Sequence, residues 1–445
     1  KSITYYQNGT GDEQSDYTTK YAAGSPADYT YYFYGDISSS ARASSTTLGM
    51  AMYASFTQKG SSVRTNLTAD SSTRSITYYV NGTGDEQSSR TEKYSLAALT
   101  ETTSYYYHNP DGGYELASSN TVGRAMYASS TRKTGSVAYT TTYYQNGPGE
   151  EQADYMARYG GGAEVDRTYY FYGTAARAST ATINKAMYAS IAIRGTADKP
   201  NFTADTDTKS ITYYTNGPGE EQSLCTIKFA QGSPVDYTYY FYGSSASNTK
   251  AGTAAINQAM YASLTQRGDS PVGTSLAADT NTKSITYYVN GTGDEQSDYT
   301  TKYSAGSPVD YTYYFYGSSA SNARASSTTL GKAMYASMTE NAPSVTTSLA
   351  ADPSTKSITR YTGVSGEEQS DYTVKYAGTS VVDYTTYFYY NTSGSANNRA
   401  GSTTVNMSMT ASHTAKALAT SVTATTNTKS ITYYQNGTGD EQSDY

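Results

Sequence analysis

Tryptophan is absent from this chain, and cysteine and histidine nearly so: one Cys and 2 His in 445 residues. A lone Cys225 forms no internal disulfide, so order must come from packing and hydrogen bonding. Triads and metal hydrolases usually rely on histidine. His108 and His413 stand far apart in the chain and read as incidental surface or turn residues. Branched aliphatics are scarce as well. Leu, Ile, Val and Phe together account for 47 of 445 residues, a share that would signal disorder in a highly charged chain. Charge is low, however, with a net value of -7, and no basic cluster offers the footprint that a nucleic-acid backbone requires. No apolar run approaches the roughly 20 residues of a membrane-spanning helix, and no charged-then-apolar leader opens the chain, so no membrane span is expected.

Tyrosine fills the gap. The 52 Tyr carry the apolar surface to be buried on rings that each keep one polar tip, which predicts an ordered fold with a polar core.

Self-similarity dominates the rest. The opening Lys1-Ser-Ile-Thr-Tyr-Tyr recurs with variation from Arg74, Tyr139, Lys209, Lys283, Lys356 and Lys429. This predicts six repeats, 1–73, 74–138, 139–208, 209–282, 283–355 and 356–428, followed by the start of a seventh at 429–445. Because 429–445 reproduces 1–17 letter for letter, the chain reads as a window on a longer periodic array, or as one period of a filament plus its overlap.

Within a repeat, Ser2 to Tyr6 reads as a strand, Gln7 to Gln14 as a Gly-rich acidic loop and Asp16 to Tyr21 as a second strand. A Gly-Ser-Pro turn then leads into an aromatic strand, Tyr29 to Tyr34. Ser44 to Thr57 has the apolar spacing of an amphipathic helix at Leu48, Ala51, Met52, Ser55 and Phe56. The equivalent positions Gly49, Gly123, Asn184, Asn257, Gly331 and Asn406 argue otherwise, since only Gly and Asn interchange there. That restriction predicts a left-handed residue in a hairpin with a type II′ turn, Gly or Asn first. The fold class is therefore all-β: a tandem array of six small antiparallel β-sandwich-like repeats, with a β-propeller or a continuous β stack as alternatives.

The aromatic strand alternates Tyr29, Tyr31 and Phe33 with Tyr32 and Tyr34, so both faces carry rings. Tyr32 and Tyr34, with Tyr240, Tyr242, Tyr314 and Tyr316, are expected to face a neighbouring unit or a sugar. The most constant motif is Gly-[Asp/Glu]-Glu-Gln, seen at Gly11, Glu13 and Gln14 and again at Glu86, Glu151, Glu221, Glu295, Glu368 and Glu441. It reads as a structural loop whose Glu and Gln tie down amides or touch the next unit. Calcium is the alternative, drawing on Asn8, Asp12, Glu13 and Asp16, but the spacing matches neither the EF-hand loop nor the nonapeptide Gly-rich calcium repeat. No other cofactor or metal is expected.

Asn8, Asn66, Asn81, Asn201, Asn290, Asn391, Asn406 and Asn436 fit the acceptor pattern for N-glycosylation. Two copies read Asn146-Gly-Pro and Asn216-Gly-Pro, which destroys the acceptor but keeps Asn-Gly, so the pair is expected to serve a turn. A single active site would leave six copies unexplained, and no enzyme is expected. Repetition suits span, stiffness and multivalency. The expectation is a filament-forming, fibrous, extracellular or cell-surface protein that associates with itself, with a multivalent carbohydrate-binding adhesin as the alternative.

Overall fold

A computed structural model describes residues 2–22, 25–60, 63–95, 97–134, 138–160, 162–252, 255–256, 258–268, 276–293, 295–341, 347–363, 365, 368–390, 395–401, 404, 407–435 and 442–443. These residues form β-strands and short 3-10 turns, with no α-helix among them. The chain forms two compact units, one comprising Lys1–Thr134, Ala138–Arg158 and Ala178–Ile183, the other Gly135–Val137, Tyr159–Arg177 and Asn184–Tyr445.

The first repeat sets the pattern. Its strands are β1 (Ser2–Gln7), β2 (Gln14–Ala22), β3 (Ser25–Tyr34), the two-residue β4 (Ala41–Arg42) and β5 (Met52–Lys59); β6 (Thr73–Val80) opens the second repeat. Thr, Tyr, Ile and Phe dominate these segments and suit a pleated, half-buried surface. β1, β2, β3 and β5 pair antiparallel in that order, and β5 then pairs with β6 across the repeat boundary, Ala54 opposite Tyr78 and Phe56 opposite Ile76. In the second unit Met260–Arg267 pairs with Thr282–Val289, and Met334–Glu340 with Thr355–Thr362, in the same way. Within each unit the sheet therefore runs through the junctions between repeats. Propeller blades, by contrast, are separate sheets.

The hairpin turns follow from residues that tolerate positive φ. Asn8 (φ +75°) and Gly11 (φ +92°) bend the chain between β1 and β2. Gln231 (φ +49°) and Gly232 (φ +78°) form a two-residue turn between strands Gln222–Ala230 and Ser233–Gly243, which is type I′ geometry.

The segment after β4 departs from the expected hairpin. Gly49 (φ +74°), Gly123 (+69°), Asn184 (+59°) and Gly331 (+72°) are left-handed, and no helix forms. The turn type is different. Leu48 lies at φ -53°, ψ 131°, and the Met50 amide donates to the Thr47 carbonyl at 3.0 Å, so Gly49 takes the second central position of a type II turn. Upstream stands a 3-10 turn, Ser45–Thr47, instead of a Thr-rich strand; the Thr47 hydroxyl caps the Ser44 amide at 2.9 Å and pulls the chain into that turn. Asn257 and Asn406 lie outside the described residues.

One face of the sheet carries the core. Tyr31, Phe33, Ala54, Phe56 and Ile76 are buried together, so the first repeat's core is completed by an isoleucine of the second. Tyr313, Phe315, Ala336, Met338 and Ile358 repeat the arrangement. The covering layer consists of loop side chains: Leu67 and Leu349 pack on these clusters, and the Arg64 guanidinium lies 4.6 Å over the Phe56 ring.

Phe315→Ala is expected to cost about 3–5 kcal/mol by leaving a cavity in a fully buried site. Hydrogen exchange should accelerate in both Met334–Glu340 and Thr355–Thr362, the two strands that share its core. Gly317→Ala should disrupt the end of its strand, because at φ +123° a Cβ would stand 2.2 Å from the Ser321 carbonyl oxygen.

Candidate functional site

The acidic loops lie at the repeat junctions. In the second repeat, Glu86 accepts from the Gly84 amide at 2.9 Å through one carboxylate oxygen and, through the other, from the Met52 amide of the first repeat at 3.1 Å. The pairing register between β3 and β5 shifts at Phe33 and Tyr34 beside Met52, so the carboxylate satisfies an amide that the irregular ladder leaves to it. Glu151 does the same for Gly149 and Met126, Glu221 for Gly219 and Met187, and Glu295 for Gly293 and Met260. Glu368 accepts from Met334 at 2.8 Å. Glu13 accepts from Gly11 at 3.0 Å, while Glu441 lies outside the described residues.

The neighbouring Gln works within its own repeat. Gln14 donates to the Thr47 carbonyl at 2.8 Å and accepts from the Thr47 hydroxyl at 2.9 Å, fastening the 3-10 turn to the hairpin. Gln87, Gln152, Gln296 and Gln369 grip Thr121, Thr182, Thr329 and Thr404 identically. The loop thus clamps backward with its Glu and inward with its Gln.

The Asn-Gly asparagines belong to this clamp. Asn8, Asn81, Asn146, Asn216 and Asn290 all have positive φ, and each donates its side-chain amide to the clamp glutamine. Sequon and non-sequon copies behave alike. Asn66 and Asn201 are exposed, whereas Asn391, Asn406 and Asn436 lie outside the described residues.

The residues considered for calcium have separate tasks. Asn8 serves Gln14, Glu13 serves Gly11, and Asp16 is buried in an ion pair with Arg42 at 2.5 Å. Among the described residues no group of three or more His, Cys, Asp or Glu is placed to hold a metal ion. The Asp16–Arg42 pair recurs as Asp298–Arg324 and Asp371–Arg399, with Arg42 and Arg324 each 4.7 Å over a core tyrosine ring. The fourth repeat exchanges these partners for Leu224 and Lys250, a paired change within one chain that marks their contact.

A second set of ion pairs crosses the junctions at the opposite strand ends. Asp28 pairs with Arg74, Asp166 with Lys209, Asp236 with Lys283, Asp310 with Lys356 and Asp383 with Lys429.

The expected aromatic pairs divide. Tyr34, Tyr242 and Tyr316 are buried at 8%, 9% and 8% exposure, and their hydroxyls donate to the carbonyls of Ser15, Ser223 and Ser297. They are bolts inside the repeat and present no ring outward. The register shift at Phe33 and Tyr34 places an extra residue, Tyr53, on β5 and none on β3. Tyr32, Tyr240 and Tyr314 stay on the face opposite the core, half-buried, and bond Thr18, Thr226 and Thr300 on the preceding strand at 3.0, 3.0 and 2.9 Å.

These bonds belong to a hydroxyl ladder that strand-by-strand reading missed. Thr30 bonds Thr57, Thr77 bonds Thr91, and Thr103 bonds Thr131, at 2.9, 2.8 and 2.8 Å. Tyr79 reaches back to Ser55 and Tyr144 to Ser129. The second unit repeats the series, from Tyr214 on Ser190 to Tyr434 on Ser412. A Thr at the matching position of successive strands, as at Thr4, Thr18, Thr30 and Thr57, was the visible signal.

His413, expected at the surface, is instead 1% exposed. It occupies the core position held elsewhere by Phe56 or Met338, with its ring nitrogens on the Ser421 carbonyl and the Thr428 hydroxyl. A polar pocket compensates: its cross-strand partner is Thr386 where the first repeat has Tyr31. His108 is exposed and meets Tyr127 edge-on at 5.1 Å.

Compared with models of known families and with curated proteins, the chain matches neither. What the structure defines is a class: a tandem β-repeat architecture, rich in tyrosine, of the kind found among structural and adhesive surface proteins. Among the described residues no helix is long and apolar enough to cross a membrane.

Glu295→Ala leaves the Met260 amide without its acceptor, an expected cost of about 1–3 kcal/mol. Exchange at Met260 should rise while the interior of the strand Met260–Arg267 keeps its protection. Burial pushes the Tyr34 and Tyr242 phenols up from 10.0 to about 12. The folded state holds these protons longer than the unfolded chain, so the stability involved is full below pH 10.0 and is lost as pH climbs toward about 12. Phenolate absorbance should therefore rise for these residues together with loss of β circular dichroism.

Proposed function

We propose that this chain is a structural, fibre-forming protein of the cell exterior, in which tandem repeats supply length and stiffness and do no catalysis. The observation that carries this reading is the antiparallel pairing of β5 with β6 across the repeat boundary, from Ala54 opposite Tyr78 to Gln58 opposite Thr73. Each repeat adds four strand spacings, roughly 19 Å of sheet. Stability in such an array is a sum of repeat and neighbour terms, and the neighbour terms at the first junction are large: a shared core, a Glu clamp and an ion pair.

The mechanics favour clamps of this kind. Strands lie across the direction in which repeats add, so pulling along the array opens backbone hydrogen bonds strand by strand. Side chains that span the junction at both strand ends oppose that peeling.

Non-catalytic use is supported by the way candidate groups are spent. Glutamates of the repeated motif hold amides, and His413 is enclosed with both ring nitrogens bonded. Electron microscopy of the full-length protein at rising concentration is expected to show fibres with a repeat matching the sheet advance. Monodisperse single particles at every concentration would sink the proposal. Antibody labelling of intact source cells should decorate their surface.

A further inference from the structure

The face opposite the core has a geometry that fibre formation alone does not require. Tyr32 on β3 bonds Thr18 on β2, and Tyr79 on β6 bonds Ser55 on β5. A phenol whose hydroxyl is held by the adjacent strand must lie along the sheet and cannot project from it. The rings of this set lean toward the preceding strand, Tyr79 and Tyr105 in the second repeat and Tyr214 and Tyr240 in the fourth, each half-buried with part of its surface reachable; the third repeat has Met156 in place of Thr18.

Between the rings stand paired Thr and Ser hydroxyls; among the described residues the charged groups of this face, the Asp28–Arg74 type of ion pair and Lys93 opposite Ser75, keep to one margin. A hydroxyl has one donor and two lone pairs, so each ladder bond leaves capacity directed outward.

We propose that this face docks an extended, neutral polysaccharide of β-linked pyranose rings. Charge decides against nucleic acid and charged polymers, because the stripe offers them nothing to neutralise. A second copy is a poorer match, since two such faces pressed together would bury hydroxyls without assured partners. A pyranose chain presents apolar C–H faces for the rings and hydroxyls for the ladder at once. Weak contacts repeated in every repeat gain through linkage. This inference stands apart from fibre formation, which uses the strand edges and junctions.

The test is co-sedimentation of the full-length protein, cleared beforehand by centrifugation, with microcrystalline cellulose. Wild type is expected in the pellet at low and high salt alike. The double variant Thr286→Lys/Thr359→Lys keeps every ring but sets charge into the stripe, and should bind about tenfold more weakly while its β circular dichroism is unchanged. A second variant, Tyr240→Phe/Tyr314→Phe, releases two ring tethers with little loss of volume and should weaken binding in the same direction. Wild type remaining in the supernatant, or undiminished binding by both variants, would overturn the proposal. A parallel tube without cellulose measures what pellets as fibre alone, and the absence of any cellulose-dependent excess over it would overturn the proposal. Fibre formation is thus read from the control tube and cellulose binding from the excess.

Discussion

Antiparallel hydrogen bonding between the last strand of one repeat and the first strand of the next is the constraint from which the other features follow. Once β5 and β6 pair, Phe56 must stand opposite Ile76 on the same face, and the core can no longer close within one repeat. The Met52 amide at the irregular end of the pairing then needs an acceptor, and Glu86 arrives with the incoming hairpin to supply it. At the other strand end the same approach brings Arg74 to Asp28. The clamp motif is constant because it serves a geometric position that recurs at each junction.

The scarcity of aliphatics is resolved by dividing the two faces of the sheet. Rings and the few Ile, Leu and Met residues gather under loops on one side, where Tyr31 and Tyr313 are nearly as buried as Phe33 and Phe315. On the other side Thr, Ser and Tyr bond one another across strands, so the exposed face is satisfied without a second layer. Cross-strand Thr pairs of this kind each add a fraction of a kcal/mol, a term that accumulates only because the sheet is long. Where the core pattern fails, the exchange is concerted: Thr386 and His413 replace an aromatic pair and carry their own hydrogen bonds.

Much of the local structure could be read from residues alone. The interchange of Gly and Asn at 49, 123, 184 and 331 identified a left-handed backbone and excluded a helix, because that conformation penalises a Cβ. It did not identify the turn. A type II turn and a type II′ turn both need one left-handed residue, and the choice depended on the Thr47 hydroxyl closing a 3-10 turn against Gln14, a residue more than thirty positions away. Likewise the Tyr32 and Tyr34 alternation is sound strand geometry, but that Tyr34 is enclosed depends on β2, where the Ser15 carbonyl takes its hydroxyl.

Six diverged copies, an all-β character, a tyrosine-based core and the backbone role of Asn-Gly were determined by the sequence by itself, since each depends on composition or on conformational limits of single residues. Which repeat a glutamate touches, which tyrosines are enclosed, and the running of one sheet through the junctions in each unit were decided only by tertiary structure. The physical reason is range: strand pairing joins residues through backbone groups that are the same for every amino acid, so the identity of the partner strand leaves no local mark.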